Sequence, residues 1–283
     1  MILKKMIKMK HTIIIILICC SFVGYSQNTN PIEMDIFLDK KSLKELSVKK
    51  KFINSIEYTP EGFLLLSSPN QFYFLGIGGL APAFEKWSNK NSIESFTITS
   101  DSILVITSKN ALYQLGSGDS FVKISNIPDS DMGITSKYDR LYVYDRKLKK
   151  GKKNYSIYQL SGGVRTIIPL VTIGTPILSV FERASILIFS TKNKIFSIDA
   201  KTKKMIEILS LPKKDDIVSI VGDPVHQALY FSTKKAVYRV RDNQIELVNK
   251  EFGGILRYDG EGLLVFNPDE SFIVRFRNNV LYE

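Results

Sequence analysis

The stretch Ile93-Glu94-Ser95-Phe96 … Asp101-Ser102-Ile103-Leu104-Val105-Ile106-Thr107 … Ala111-Leu112-Tyr113-Gln114-Leu115 decides the reading. It holds three short apolar runs split by Asp, Ser, Lys and Asn. Runs of that length between turn residues are strands. A fourth, Phe121–Ile124, follows.

The stretch recurs. A Leu opens a short apolar run at Leu64-Leu65-Leu66-Ser67, Leu104-Val105-Ile106-Thr107, Leu141-Tyr142-Val143-Tyr144, Leu187-Ile188-Phe189-Ser190, Leu229-Tyr230-Phe231-Ser232 and Leu264-Val265-Phe266-Asn267. Successive Leu lie 40, 37, 46, 42 and 35 residues apart. Each run is followed by an aromatic in an alternating strand: Tyr73, Tyr113, Tyr158, Phe196 and Tyr238, with Val274 in the sixth copy. The offsets from Leu are 9, 9, 17, 9, 9 and 10. A strand precedes each Leu: Ile53–Tyr58, Ile93–Ile98, Gly133–Ser136, Ile177–Phe181, Ile217–Val221 and Ile255–Tyr258. Another follows the aromatic, as in Val164–Ile168, Met205–Leu209 and Ile245–Val248.

Six four-stranded units of about 40 residues have the size of propeller blades. The fold is therefore expected to be all-β: a six-bladed β-propeller of four-stranded antiparallel blades over residues 52–283. A ring needs a closure. The chain ends Val280-Leu281-Tyr282-Glu283, read as a very short outer strand. Residues 31–39, with Ile32, Met34, Ile36 and Leu38, alternate as a strand does and lack a hairpin partner. Within an N-terminal strand and linker at 27–51, they are expected to pair with the last blade and clasp the ring. Lys40–Lys51 carries the one stretch of helical spacing, Leu43 and Leu46.

Residues 1–26 read as a signal peptide. Lys4, Lys5, Lys8 and Lys10 precede an apolar run from Thr12 to Val23, and Gly24 and Ser26 supply small residues before Gln27. The run is shorter than the roughly 20 residues of a membrane-spanning helix. Neither Cys19 nor Cys20 follows Gly, Ala or Ser, so both read as apolar filler, with lipoprotein anchoring at one of them as the alternative. The mature chain then has no transmembrane segment and no Cys, which suits an oxidising compartment. Its expected location is the periplasm or beyond.

Apolar residues make up 44% of the chain, enough for a sizeable core. The formal charge is +11, of which the signal's four lysines leave +7 on the mature chain. Two Cys and two His exclude a disulfide scaffold, a Cys-rich zinc module and His-based triads. His226 reads as a turn residue. Gly76-Ile77-Gly78-Gly79 lacks the Gly-Lys-Ser/Thr of a phosphate loop and reads as a blade-edge loop. No cofactor motif is found.

The blade pattern resembles that of secreted bacterial six-bladed propellers of the two-component-regulator, pyrroloquinoline-quinone and lactonase types. Sensor blades of the first type carry Trp and a Gly-Thr pair in the second strand. Here the single Trp, Trp87, lies elsewhere, so the resemblance is to the superfamily and not to one member. The lactonase resemblance implies a divalent cation held in the central channel by oxygen ligands. The residues it would use are Glu57, Glu182, Asp223 and Asp259, from four blades.

The most distinctive local feature lies in the third unit, where the offset of 17 exceeds the usual 9 by eight residues. The extra residues bring Lys147, Lys149, Lys150, Lys152 and Lys153. Equivalent loops carry Lys109, Lys192, Lys194, Lys234 and Lys235. Together they predict one basic face for an anionic glycan, another anionic ligand or an acidic protein. Export and the lack of a recognition fold speak against nucleic acid. The sequence thus reads as an exported, non-enzymatic interaction or ligand-sensing propeller, with a metal-dependent lactonase or hydrolase as the alternative.

Overall fold

The computed structural model describes residues 34–38 and 53–281, apart from short stretches at 60–61, 77–78, 85–86, 88–90, 118, 138–139, 161–166, 200, 213–215, 224–226, 243, 259 and 271. The signal segment, both Cys, Lys40–Lys51, His226 and Asp259 lie outside the described residues.

Strand β1 is Met34–Leu38. Blade one is β2 Ser55–Tyr58, β3 Leu64–Ser67, β4 Phe72–Gly76 and β5 Gly79–Ala83. Blade two is β6 Ser95–Ile98, β7 Leu104–Ser108, β8 Ala111–Leu115 and β9 Phe121–Asn126. Blade three is β10 Met132–Lys137, β11 Arg140–Asp145, β12 Tyr155–Leu160 and β13 Ile167–Ile173. Blade four is β14 Ser179–Arg183, β15 Ile186–Ser190, β16 Lys194–Asp199 and β17 Met205–Ser210. Blade five is β18 Ser219–Gly222, β19 Leu229–Ser232, β20 Val237–Arg241 and β21 Gln244–Asn249. Blade six is β22 Ile255–Tyr258, β23 Gly262–Asn267 and β24 Phe272–Arg277, with β1 as its outer strand.

Every sheet is antiparallel, and its strands run in chain order from the inside outward, except that β1 takes the outer place in blade six. The inner strands β2, β6, β10, β14, β18 and β22 each touch the next, and β22 touches β2, so the ring is closed. This is a six-bladed β-propeller. Alternation along each strand sends one set of side chains to each neighbouring blade. An apolar cluster accordingly fills each of the six junctions among the described residues. At the junction of blades one and two, Phe72, Trp87 and Phe96 are all buried.

Met34 pairs with Phe276 and Ile36 with Val274, which puts β1 antiparallel on β24. Of the last residues, read as a short outer strand, the described Val280 and Leu281 are not in a strand. Asn278–Leu281 is a helical turn, α1, and Leu281 buries itself in the cluster between blades five and six. The outer position is already taken by β1. The fourth strand of blade three runs later than expected, to Ile173, and carries Pro169. An outer edge strand tolerates a residue that cannot donate a ladder hydrogen bond.

A second repeat escapes a reading based on apolar runs. Four blades pair a buried Ser on the inner strand with Ser or Thr on the second strand: Ser55 with Ser67, Ser95 with Thr107, Ser179 with Ser190, and Ser219 with Ser232. Two of these hydroxyls bond across to the next blade. Thr107 Oγ1 donates to the Met132 carbonyl at 3.0 Å, and the Leu256 N–H donates to Ser219 Oγ at 3.1 Å. Blade three departs from the pattern by setting Gly133 opposite Tyr144. A Cβ on Gly133 would lie 2.3 Å from that ring.

Candidate functional site

The connections between blades hydrogen-bond to the loops joining second and third strands. Ile93 N donates to Pro69 O at 2.7 Å, Ile127 N to Asn110 O at 2.9 Å and Ile217 N to Lys192 O at 2.7 Å. These loops and connections therefore share one face of the ring. The insertion of blade three is the β11–β12 loop on that face. Lys109, Lys192, Lys234 and Lys235 lie in the equivalent loops, and Lys194 opens β16.

The insertion is folded onto an acidic connection, Asp129-Ser130-Asp131, between β9 and β10. Lys147 Nζ lies 2.6 Å from Asp131. Lys149 pairs with Asp129 and donates to Ser130 O at 2.9 Å. Lys152 bridges Asp129 at 2.8 Å and the buried Asp145 at 2.7 Å. Arg146 donates to the carbonyls of Asp131 at 3.1 Å and Glu94 at 2.6 Å. Glu94 in turn accepts the backbone N–H of Asp131 at 2.8 Å and of Lys109 at 3.0 Å. Burial pushes the Glu94 carboxyl above its ordinary value, against those two N–H donors. Partial burial acts the same way on Asp129, but the ammonium groups of Lys149 and Lys152 outweigh it and hold that carboxyl at about 2. Desolvation lowers Lys152, and Asp129 and Asp145 more than offset it, so its ammonium form is reinforced.

Three of the five loop lysines are thus neutralised from within. Lys150 and Lys153 remain exposed, with no ion pair among the described residues. Lys192 faces Asp216 at 3.3 Å and Lys194 faces Glu207 at 2.7 Å. The basic face reduces to Lys109, Lys150, Lys153, Lys234 and Lys235, all exposed.

Of the acids expected for a channel cation, Glu57, Glu182 and Asp223 are among the described residues. Glu57 of blade one sits 2.7 Å from Arg257 of blade six. Glu182 of blade four, its side chain 3% exposed, binds Arg140 of blade three at 2.6 Å and accepts the Tyr142 hydroxyl at 2.6 Å. Asp223 is fully buried in the turn after β18, where its N–H donates to Ala228 O at 2.9 Å. Among the described residues, no group of three or more His, Cys, Asp or Glu side chains could hold a metal ion. The two glutamates instead join neighbouring blades, each matched by an arginine. Those arginine partners were not legible because the ring brings together residues as far apart as 57 and 257.

A groove of about 870 Å³ opens on the opposite face, where first and second strands turn. It lies between blades four and five and reaches toward the channel. Ile186, Ile188 and Ile208 of blade four form one wall, and Val221 and Gly222 of blade five the other. Lys137, Arg183 and Tyr258 stand along it. No single motif announces it in the sequence.

Together, closed ring, inter-blade ion pairs and groove define a six-bladed propeller with two chemically distinct faces. No family model matches the chain, and no curated protein matches it. Solved structures share the fold. A putative gluconolactonase aligns with a TM-score of 0.65 at 11% identity, over 87% of this chain and 92% of that one. Virginiamycin B lyase from Staphylococcus aureus aligns at 0.61 and 13% identity, over 87% and 99%. The extracellular domain of a putative one-component system from B. thetaiotaomicron aligns at 0.58 and 11% identity, over 86% of this chain and 40% of that one. The present chain thus spans less than half of that extracellular domain. The likeness is one of fold.

Proposed function

We propose that this chain is an exported, non-enzymatic propeller that acts by binding, and that its partner carries negative charge. The observation that carries this reading is the state of the inner-strand glutamates. Glu57 and Glu182 are matched by Arg257 and Arg140, which leaves them as staples between blades. Net charge points the same way, and five lysines with no ion pair among the described residues lie on one face. Among the neighbours by fold is the extracellular domain of a putative one-component system, which fits an exported binding module. Among the described residues no helix is long and apolar enough to cross a membrane. Cleavage after Ser26 releases a mature chain beginning at Gln27, which intact mass will read directly.

The test is retention of the mature protein on heparin across a salt series. Exposed charges act weakly and singly, so a cluster shows itself through salt sensitivity. Replacing Lys150 and Lys153 with Ser is expected to lower the eluting salt concentration. Replacing Lys149 and Lys152, already neutralised, is expected to lower it less. A control removes Lys40 and Lys41. Equal losses in all three variants reduce the effect to net charge and overturn the reading of this face.

A further inference from the structure

The insertion of blade three carries an apolar side chain among its lysines. Leu148 sits inside Arg146-Lys147-Leu148-Lys149-Lys150-Gly151-Lys152-Lys153. It is 80% exposed, and no large apolar side chain among the described residues is more so. The equivalent loops of the other five blades hold no Leu, Ile, Val, Met or aromatic residue.

The loop is braced so that Leu148 stays in solvent. Both its neighbours are tied down, Lys147 to Asp131 at 2.6 Å and Lys149 to Asp129. The Lys152 N–H donates to Lys149 O at 3.2 Å and closes a four-residue turn. Gly151, at φ 79°, takes its third position, where a type II turn needs a positive φ. The hydroxyl of the buried Tyr155 accepts the Lys149 N–H at 3.3 Å and donates to Lys152 O at 3.3 Å. Little ordering is therefore left for a partner to impose.

Lys150 and Lys153 stand exposed in the same loop, and Lys109, Lys234 and Lys235 lie in other loops of that face. A polyanionic chain matches those cations but gives a projecting Leu no apolar surroundings. An anionic bilayer matches both features: phosphates at its surface and hydrocarbon just below. Lysine stems can keep their ammonium groups at the phosphates while an apolar neighbour sits deeper.

We propose that this face docks on anionic phospholipid membranes, with Leu148 entering the interface and Lys150 and Lys153 on the lipid phosphates. The proposal rests on the reading of this face as an anion-binding surface and names its partner. It describes reversible attachment of a chain that, among its described residues, has no helix long and apolar enough to cross a membrane.

Co-sedimentation with vesicles tests it, using protein that begins at Gln27, because the signal's apolar run would bind lipid by itself. The vesicles are phosphatidylcholine alone, or phosphatidylcholine and phosphatidylglycerol in equal parts. Binding to the mixed vesicles is expected to fall with salt and to exceed binding to phosphatidylcholine by about tenfold or more. Leu148→Ser should weaken it by about fivefold or more and elute from heparin at the same salt as the wild type. Leu148→Trp should strengthen it, since Trp favours the membrane interface. Both substitutions fall on an exposed side chain and should leave the melting temperature unchanged. Lys150→Ser with Lys153→Ser should weaken vesicle binding by about tenfold and lower heparin retention as well. Mixed-vesicle binding that Leu148→Ser leaves intact overturns the proposal, as does equal binding to both kinds of vesicle. Heparin retention without vesicle binding also overturns it, and leaves the anion reading standing with a glycan or protein as partner. Equal heparin losses in all the lysine variants overturn the anion reading itself, and this proposal with it.

Discussion

Blades three and four are neighbours built on one repeat, and they depart from it in opposite ways. Blade three gains eight residues in its β11–β12 loop, and five lysines with them. Blade four gains nothing and loses bulk: it pairs Ile188 with Ser197 where blade three pairs Tyr142 with Gln159. The conspicuous departure is contained: Asp129, Asp131 and Asp145 neutralise most of its charge. The inconspicuous one opens about 870 Å³ of groove. Charge on a surface loop can fold back onto a counter-charge at little cost. Volume missing from a β face cannot be recovered, because the sheets on either side are held by their ladders and by the ring.

That comparison assumes a ring whose blades change without unseating their neighbours. Removing residues 31–39 tests the assumption and carries the largest expected effect. It strips β1 from β24 and leaves an open edge, a template for aggregation. We expect loss of a single cooperative transition, or a melting temperature lower by more than about 10 °C at this size. Calorimetry and gel filtration read it. Unchanged melting and a monomeric profile would remove β1 from the account of closure.

A pair of glycine substitutions sharpens the contrast between packed and open junctions. In Gly133→Ala the new Cβ meets the Tyr144 ring at 2.3 Å, and that ring is buried. The cost should be about 2–3 kcal/mol. In Gly222→Ala the Cβ meets the Phe181 ring at 2.6 Å, but Phe181 borders the groove and has room to turn. Its cost should stay below about 1 kcal/mol. Chemical denaturation gives both values. Equal costs would mean that the groove wall is as tightly packed as the junction in blade three.

Asp129→Asn sharpens the other side. The carboxyl's pKa is depressed in the folded chain, so its contribution is complete above the ordinary value of 3.8 and is lost as pH falls toward about 2. With solvent screening it is worth about 1 kcal/mol. The variant should melt below the wild type at pH 7, and the gap should close between about pH 4 and pH 2. A gap that persists at pH 2 would assign the loss to packing and not to charge.

How much of this could be read from the sequence follows from the range of each interaction. Strand and blade count came from periodicity within about 40 residues, which Leu104 and Tyr113 already display. Residues 31–39 read as a strand because they alternate without a local partner, but the outer position that β1 takes in blade six was not readable. The terminal turn Asn278–Leu281 was not, since Val280-Leu281-Tyr282 carries strand-like residues and only the occupied edge of β24 rules a strand out. The lysine loop was visible, but two of its counter-charges, Asp129 and Asp131, lie 16 to 23 residues upstream in the connection from blade two. Glu57 and Glu182 looked like metal ligands because their arginines are remote or in another blade. The groove was hidden for a different reason: Ile188 and Ser197 are unremarkable singly and small only beside the pairs of the other five blades.

The central claim is that the channel acids hold blades together and that the protein works by binding. Melting of the mature protein in about 10 mM calcium chloride, against chelator at matched ionic strength, tests it most directly. A resident cation at a hundred times its Kd would stabilise the fold by about 2.7 kcal/mol, or about 5–10 °C here. The account predicts a shift below about 1 °C. A rise of several degrees that disappears in Glu182→Gln would contradict it and put a metal in the channel.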